Sequence, residues 1–276
     1  MCGLTGFFQP GGFFAEEAMG IVTSMRDRLM HRGPDDAGVW LDGNAGIALG
    51  HRRLSILDLS AAGSQPMLSA SGRYVLVLNG EIYNHKNLRR QLELAGCSGW
   101  RGHSDTETFL ASVEAWGLDK TLRASVGMFA LALWDRQDRK LLLARDRMGE
   151  KPLYYGWHKG VLLFGSELKV LSEHPSFRSE IDCDVLPLYF RHGYIPAPWC
   201  IWRGIRKLLP GTWVSISNLQ LGILPDPLEY WSFSDAAING QAEPLDISDE
   251  EAADALENRL AEAIAGQCQA DVPVGA

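Results

Sequence analysis

Stacked antiparallel sheets with helices on their outer faces are the architecture this sequence predicts. Three observations carry that reading. Short, nearly continuous apolar runs recur through the first two-thirds of the chain, tight turn clusters join several of them as hairpins, and amphipathic stretches lie between them. Residues 4–8 begin the first strand, and residues 16–31 read as a helix with Met19, Val22, Met25 and Leu29 on one face. Residues 46–49 and 74–78 are strand-like, and helices are expected over 85–95 and 105–116. The second of these starts at Ser104 or Asp105, either of which can cap it, with Glu107 in the first turn. The runs 129–134 and 140–144 flank a four-residue turn, and the runs 153–157 and 161–165 flank His158-Lys159-Gly160, giving two hairpins. Residues 217–247, rich in Asn, Gly, Pro and Asp, read as a linker. A final helix begins at Ser248, with Glu251 in capping-box spacing and an apolar face of Ala252, Leu256, Leu260, Ala263 and Ile264. Its stranded apolar residues predict self-association, in the simplest case a homodimer. The closing DVPVGA reads as the start of a strand with nothing to pair with, so the chain is expected to end inside a second domain.

Composition bounds the function. The 276 residues are 46% hydrophobic and 22% charged, which excludes a disordered or coiled-coil chain and allows one large or two small domains. A net charge of -8 argues against a nucleic-acid or anionic-membrane partner, leaving room only for a local basic patch. The five cysteines lie at least 17 positions apart, so there is no C-x-x-C site, and dispersed thiols fit a reducing compartment. The N-terminal stretch has no Lys or Arg before Arg26 and is broken by Gly and Pro, unlike a signal peptide or a membrane span. A cytoplasmic protein is expected. The seven histidines form no ligand cluster and read as structural or solvated, no metal site is expected, and no phosphate-binding glycine loop is present. The Trp and Tyr residues after 189 read as core or domain-interface packing.

Four clusters could carry chemistry. The first is Met-Cys-Gly at the start. Trimming of Met1 would leave Cys2 with a free α-amine beside its thiol, a base of pKa about 7.7–8.0 able to take the thiol proton and later return one to a leaving amine. The plainer alternative is a small buried residue. The second is Asn79-Gly80-Glu81 after the 74–78 run: an amide and a glycine N–H suited to a developing oxyanion, or a simple Asn-Gly turn. The third is the pair Arg52-Arg53, either surface charge or a bidentate clamp on a carboxylate. The fourth is His103-Ser104-Asp105-Thr106-Glu107, an ordinary cap or an acidic group facing an ammonium. Arg plus Asp is what recognition of a free amino acid needs.

Taken together, MCGLTGFF, HRGPDDAG (31–38), HRRLSILDLS (51–60), LNGEIYNH (78–85), HSDTETFL (103–110), GMFALALWD (127–135), ARDRMGEKPLYY (144–155), FGSELKVL (164–171) and the stretch from GYIPAP to LLPG (193–211) resemble the glutaminase half of glutamine-dependent asparagine synthetases. These belong to the class II, N-terminal nucleophile group of glutamine amidotransferases, and the resemblance spans the chain in order. It implies a four-layer α/β/β/α sandwich of antiparallel sheets, with L-glutamine as the substrate. It further implies Cys2 as nucleophile with its own amine as base, and Asn79 and Gly80 as oxyanion hole. Arg53 would hold the glutamine α-carboxylate, and the backbone of Leu54, Ser55, Ile56 and Leu57 would line the pocket. Glu81 and Asp105 would bind the substrate, Asp105 facing its α-amino group. The implied organisation is a glutaminase domain over 2–216, a linker over 217–247 and the stub of an ATP-dependent synthetase domain over 248–276. No cofactor is implied for this part, whereas ATP and Mg would serve the synthetase domain, whose pyrophosphate loop would follow DVPVGA. By itself the chain would then hydrolyse glutamine to glutamate and ammonia, and the full-length parent would amidate aspartate. Related enzymes amidate sugars or peptides instead, and a non-catalytic binding module is the remaining alternative.

Overall fold

A computed structural model describes residues 2–217 and 221–275. In chain order its strands are β1 (Gly3–Phe8), β2 (Asp36–Asp42), β3 (Ile47–Arg53), β4 (Met67–Leu68), β5 (Tyr74–Ile82), β6 (Gly127–Asp135), β7 (Lys140–Arg145), β8 (Tyr154–His158), β9 (Val161–Gly165), β10 (Ile205–Lys207), β11 (Thr212–Ile216) and β12 (Leu228–Glu229). The helices are α1 (Ala15–Asp27), α2 (His85–Leu94), α3 (Asp105–Trp116), α4 (Leu118–Ala124), α5 (Leu168–Leu171), α6 (Leu186–His192), α7 (Phe233–Ala242) and α8 (Asp249–Gln267). Among the described residues the strands form two antiparallel sheets, ordered β10-β8-β9-β1-β3-β2 and β12-β11-β7-β6-β5-β4.

Side-chain alternation assigns the layers. On β5, Val75 and Val77 meet Leu4, Phe8, Ile47 and Leu49 of the first sheet, forming a core between the sheets that also holds Trp134. The intervening Leu76 and Leu78 join Phe129, Leu131 and Leu133 against Leu88, Phe109 and Leu122 of α2, α3 and α4. On the far side of the first sheet, Phe7, Ala48 and Leu163 pack against Val22 and Met25 of α1 and Val170 and Leu171 of α5. The result is four layers, α/β/β/α. Both faces of both sheets are covered, so the central stretches of their strands are apolar on both faces and read as nearly continuous runs. The two expected hairpins form as β6–β7 and β8–β9, the second closing on Lys159 and Gly160 at φ 47° and 78°.

Several expectations shift. The first helix ends at Asp27, and Met19, expected in its core face, is 44% exposed while Ala18 is buried in its place. The strand expected over 74–78 continues to Ile82 because β6 pairs with it throughout, so Asn79-Gly80-Glu81 lies inside a strand rather than after one. Ser104, not Asp105, is the cap of α3, its hydroxyl accepting the Glu107 N–H. Within 217–247, β12 adds an edge to the second sheet, and Tyr230 is buried with its hydroxyl donating to the Arg145 carbonyl at 2.9 Å. Tyr194 and Trp199, read as packing residues, are about half exposed. α8 starts with the expected capping box, and α7 and α8 bury no residue. No helix among the described residues is long and apolar enough to cross a membrane.

His51 on β3 ties the two sheets together next to the site. It is fully buried, and its Nε2 lies 3.0 Å from the Leu78 carbonyl of β5; an acceptor there requires that nitrogen to carry the proton. Burial pushes its pKa down to about 4. A base so depressed charges first in the unfolded chain. Between pH 6.5 and about 4 the unfolded state therefore binds more protons, and stability is complete above that window and falls as pH drops through it. The expected loss from His51 alone is about 2–3 kcal/mol. Urea unfolding at pH 7 and pH 4.5, with the imidazole followed by NMR, checks this; a His51 ring that titrates near 6.5 would contradict it.

Candidate active site

The site lies where the ends of β1, β3 and β5 meet the start of α3. Cys2 immediately precedes β1, and its Sγ sits 3.4 Å from the Leu54 amide nitrogen and 3.5 Å from the Leu54 carbonyl oxygen. Burial pushes the thiol pKa up, with the Leu54 backbone opposing the shift, so at neutral pH the sulfur keeps its proton unless a base removes it. The Arg32 Nε donates to the Cys2 carbonyl at 2.8 Å, and Arg32 pairs with Glu167 at 2.9 Å. Burial works against ionisation of Glu167, yet hydrogen bonds from Arg32, Lys169 and His31 bring it down to about 2. A permanent anion therefore anchors the arginine that holds the N-terminal backbone.

Arg53, the last residue of β3, is buried and points its guanidinium back at the loop that follows. It donates to the carbonyls of Ser60 (3.2 Å), Leu57 (3.0 Å) and Asp58. Those bonds use three of its five N–H groups. Gly63 packs against it so closely that a Cβ there would stand 2.0 Å from Nη2. Arg52 turns the other way, to Asp27 at 2.7 Å, which separates the roles of the two adjacent arginines.

On β5, Asn79 is completely buried, and neither its Oδ1 nor its Nδ2 has a hydrogen-bond partner. Leaving such groups unpaired costs about 1–3 kcal/mol each. Gly80 has φ 153°, and a Cβ on it would lie 2.0 Å from the Met128 carbonyl of β6, so only glycine allows the two strands to meet here. Asp105 opens α3 and is buried. Its Oδ2 accepts the Ile82 N–H and its Oδ1 the Thr106 N–H, both at 2.8 Å. Burial pushes its pKa up against these bonds. Glu81 is likewise raised, first by burial and then by the Asp105 charge, with Lys151 partly compensating. Two carboxylates sharing a low-dielectric space are poised to take a cation.

These groups converge. Cys2, Arg53, Asn79, Gly80, Glu81 and Asp105 line one cavity with about 600 Å³ of atom-free space, part of it open to solvent, and Leu54, Ile56 and Leu57 form one wall. Ser55 does not line it. Its N–H is turned outward to Asp35 Oδ2 at 2.8 Å, and it borders a separate surface depression. The cavity also includes Thr106 of the fourth cluster, and Gln65, Met128 and Lys151, which the sequence did not single out. Gln65 staples the halves together, its Oε1 accepting the Leu78 N–H at 2.6 Å and its Nε2 donating to Thr106 Oγ1 at 3.3 Å. No local pattern marks it, because its partners lie 13 and 41 residues away.

The model of the glutamine amidotransferase domain family matches residues 1–231. The chain belongs to the glutamine amidotransferase domain family. Asparagine synthetase [glutamine-hydrolyzing] 3 of Bacillus subtilis is 33% identical over 277 residues, which is 99% of this chain and 42% of that protein. Asparagine synthetase [glutamine-hydrolyzing] 1 of the same organism is 31% identical over 100% of this chain and 41% of its own length. Amidase chry2 of Gibberella zeae is 32% identical over 99% of this chain and 40% of that protein. The amidotransferase chain thus spans about two-fifths of these relatives and is the counterpart of the N-terminal glutaminase part of the synthetases. Among solved structures, glutamine phosphoribosylpyrophosphate amidotransferase from B. subtilis superposes with a TM-score of 0.61 at 19% identity, over 83% of this chain and 49% of that one. That likeness shows that the two share the sandwich fold.

Proposed function

We propose that this amidotransferase domain hydrolyses L-glutamine to glutamate and ammonia with Cys2 as the nucleophile. The observation that carries the reading is Asn79: a fully buried amide with both polar atoms unpaired, lining the cavity that Cys2 also lines. Met1, whose removal would free the Cys2 amine, lies outside the described residues. With it gone, the amine takes the thiol proton and the thiolate attacks the side-chain amide carbon of glutamine. The oxyanion is held by the Asn79 Nδ2–H and the Gly80 N–H. The amine returns the proton to the departing ammonia, and water then cleaves the γ-glutamyl thioester. Asp105 and Glu81 face the substrate's α-ammonium, Arg53 its α-carboxylate, and Leu54, Ile56 and Leu57 flank the chain between.

In the longer protein the ammonia would pass to a synthetase part that uses ATP and Mg to turn aspartate into asparagine, a cytoplasmic biosynthetic step. The similarity to Amidase chry2, at the same identity and coverage, favours a second reading of the acceptor only, leaving the glutaminase chemistry unchanged. The first test is direct. Chain lacking Met1, verified by mass, releases ammonia and glutamate from L-glutamine in equal amounts without ATP. No release from such a chain overturns the reading. Aspartate-dependent AMP formation by the full-length protein then decides the acceptor.

A further inference from the structure

Beyond α8 the chain turns back onto the outer side of the cavity wall. The Asp271 N–H donates to the Ile56 carbonyl at 2.8 Å, and Asp271 Oδ2 accepts the Asp58 N–H at 2.7 Å. The same oxygen lies 2.7 Å from His103 Nε2, while the His103 N–H donates to Asp58 Oδ2 at 2.8 Å. Hydrogen bonds from His103 and from the Asp58 backbone hold the Asp271 carboxyl below its ordinary range. Gln269 adds a bond to the Tyr83 carbonyl at 3.2 Å. No residue of α7 or α8 is buried, so these directional polar bonds, not helix packing, hold the segment in place.

What they grip matters. Asp58 has φ 56°, a conformation that a residue with a side chain keeps only when its surroundings fix it. Its loop offers Ile56 and Leu57 to the cavity, and the carbonyls of Leu57, Asp58 and Ser60 to the Arg53 guanidinium. The loop is thus held from inside by Arg53 and from outside by Asp271.

We propose that Asp271 is a positioning residue for the glutamine pocket: by fixing Ile56 and Asp58 from outside, it keeps Leu57 and Arg53 in register with the substrate's α-carboxylate and so sets glutamine affinity without touching the substrate. This rests on the glutaminase reading above. Asp271 is partly exposed and belongs to none of the three apolar cores, so its replacement is expected to leave them intact. In Asp271→Ala, KM for L-glutamine should rise about three- to tenfold, the size of one ordinary lost hydrogen bond, with kcat within about twofold. Amide exchange across 54–60 should quicken by a similar factor. His103→Ala should move both readouts the same way, less than additively with Asp271→Ala, whereas Asp254→Ala on the exposed face of α8 should move neither. An unchanged KM in an active Asp271→Ala chain overturns the proposal, as does unchanged exchange. If the unsubstituted chain lacking Met1 releases no ammonia, the glutaminase reading falls by itself; exchange then decides whether Asp271 grips the loop.

Discussion

Replacing Cys2 with alanine is expected to lower glutamine hydrolysis by at least about a thousandfold while leaving the fold unchanged. The sulfur makes two weak contacts, both with the Leu54 backbone, so its loss removes little packing. The other candidate nucleophiles among the described cavity residues are engaged in the fold: the Ser104 hydroxyl caps α3 by accepting the Glu107 N–H, and the Thr106 hydroxyl accepts from Gln65 Nε2. Serine at position 2 should rescue little, because burial that already raises the thiol pKa would raise that of an alcohol from a higher starting point. Glutamine binding, measured by calorimetry, should survive both changes, since the groups assigned to the substrate's charged end are untouched. An alanine variant within tenfold of the parent rate would show that the sulfur is not the attacking atom.

The second large effect is expected at Asn79, and it runs in opposite directions for rate and for stability. Asn79→Ala should cut kcat by about 10²–10³, equivalent to roughly 3–4 kcal/mol of lost oxyanion stabilisation, with little change in KM. In the resting protein, however, both polar atoms of that side chain are buried without partners. Removing them relieves about 1–3 kcal/mol apiece, offset in part by the small void left behind. The urea midpoint should therefore stay level or rise. A variant that loses more than about 2 kcal/mol of stability would mark Asn79 as structural, and one that keeps its rate would take it out of the reaction.

The parts of this molecule legible in its sequence are those governed by local patterns. The two hairpins followed from apolar runs closed by turn residues, and α8 from Ser248 and Glu251 three positions apart. The site residues were legible through the resemblance, and nine of the ten line one cavity; Ser55 does not, because its backbone turns outward to Asp35. Local pattern failed where partners from far along the chain decide the conformation. Asn and Gly are poor strand formers, yet Asn79 and Gly80 are drawn into β5 by pairing with Ala130 and Phe129. Gln65 and Asp271 act through polar bonds to distant segments, which leave no periodic trace. Met19 was misplaced because Ala18, small enough to sit flush against the sheet, takes the inward position.

β12, only two residues long, has an influence out of proportion to its length. By pairing with Thr212 and Trp213 it occupies one rim of the second sheet, and Tyr230 behind it plugs the helical layer. Uncovered, that rim would be a template able to recruit a foreign strand and nucleate a fibre. The family match also stops at residue 231, directly after this stopper. A module whose sheet ends in its own two-residue edge strand offers a foreign strand little length to pair with.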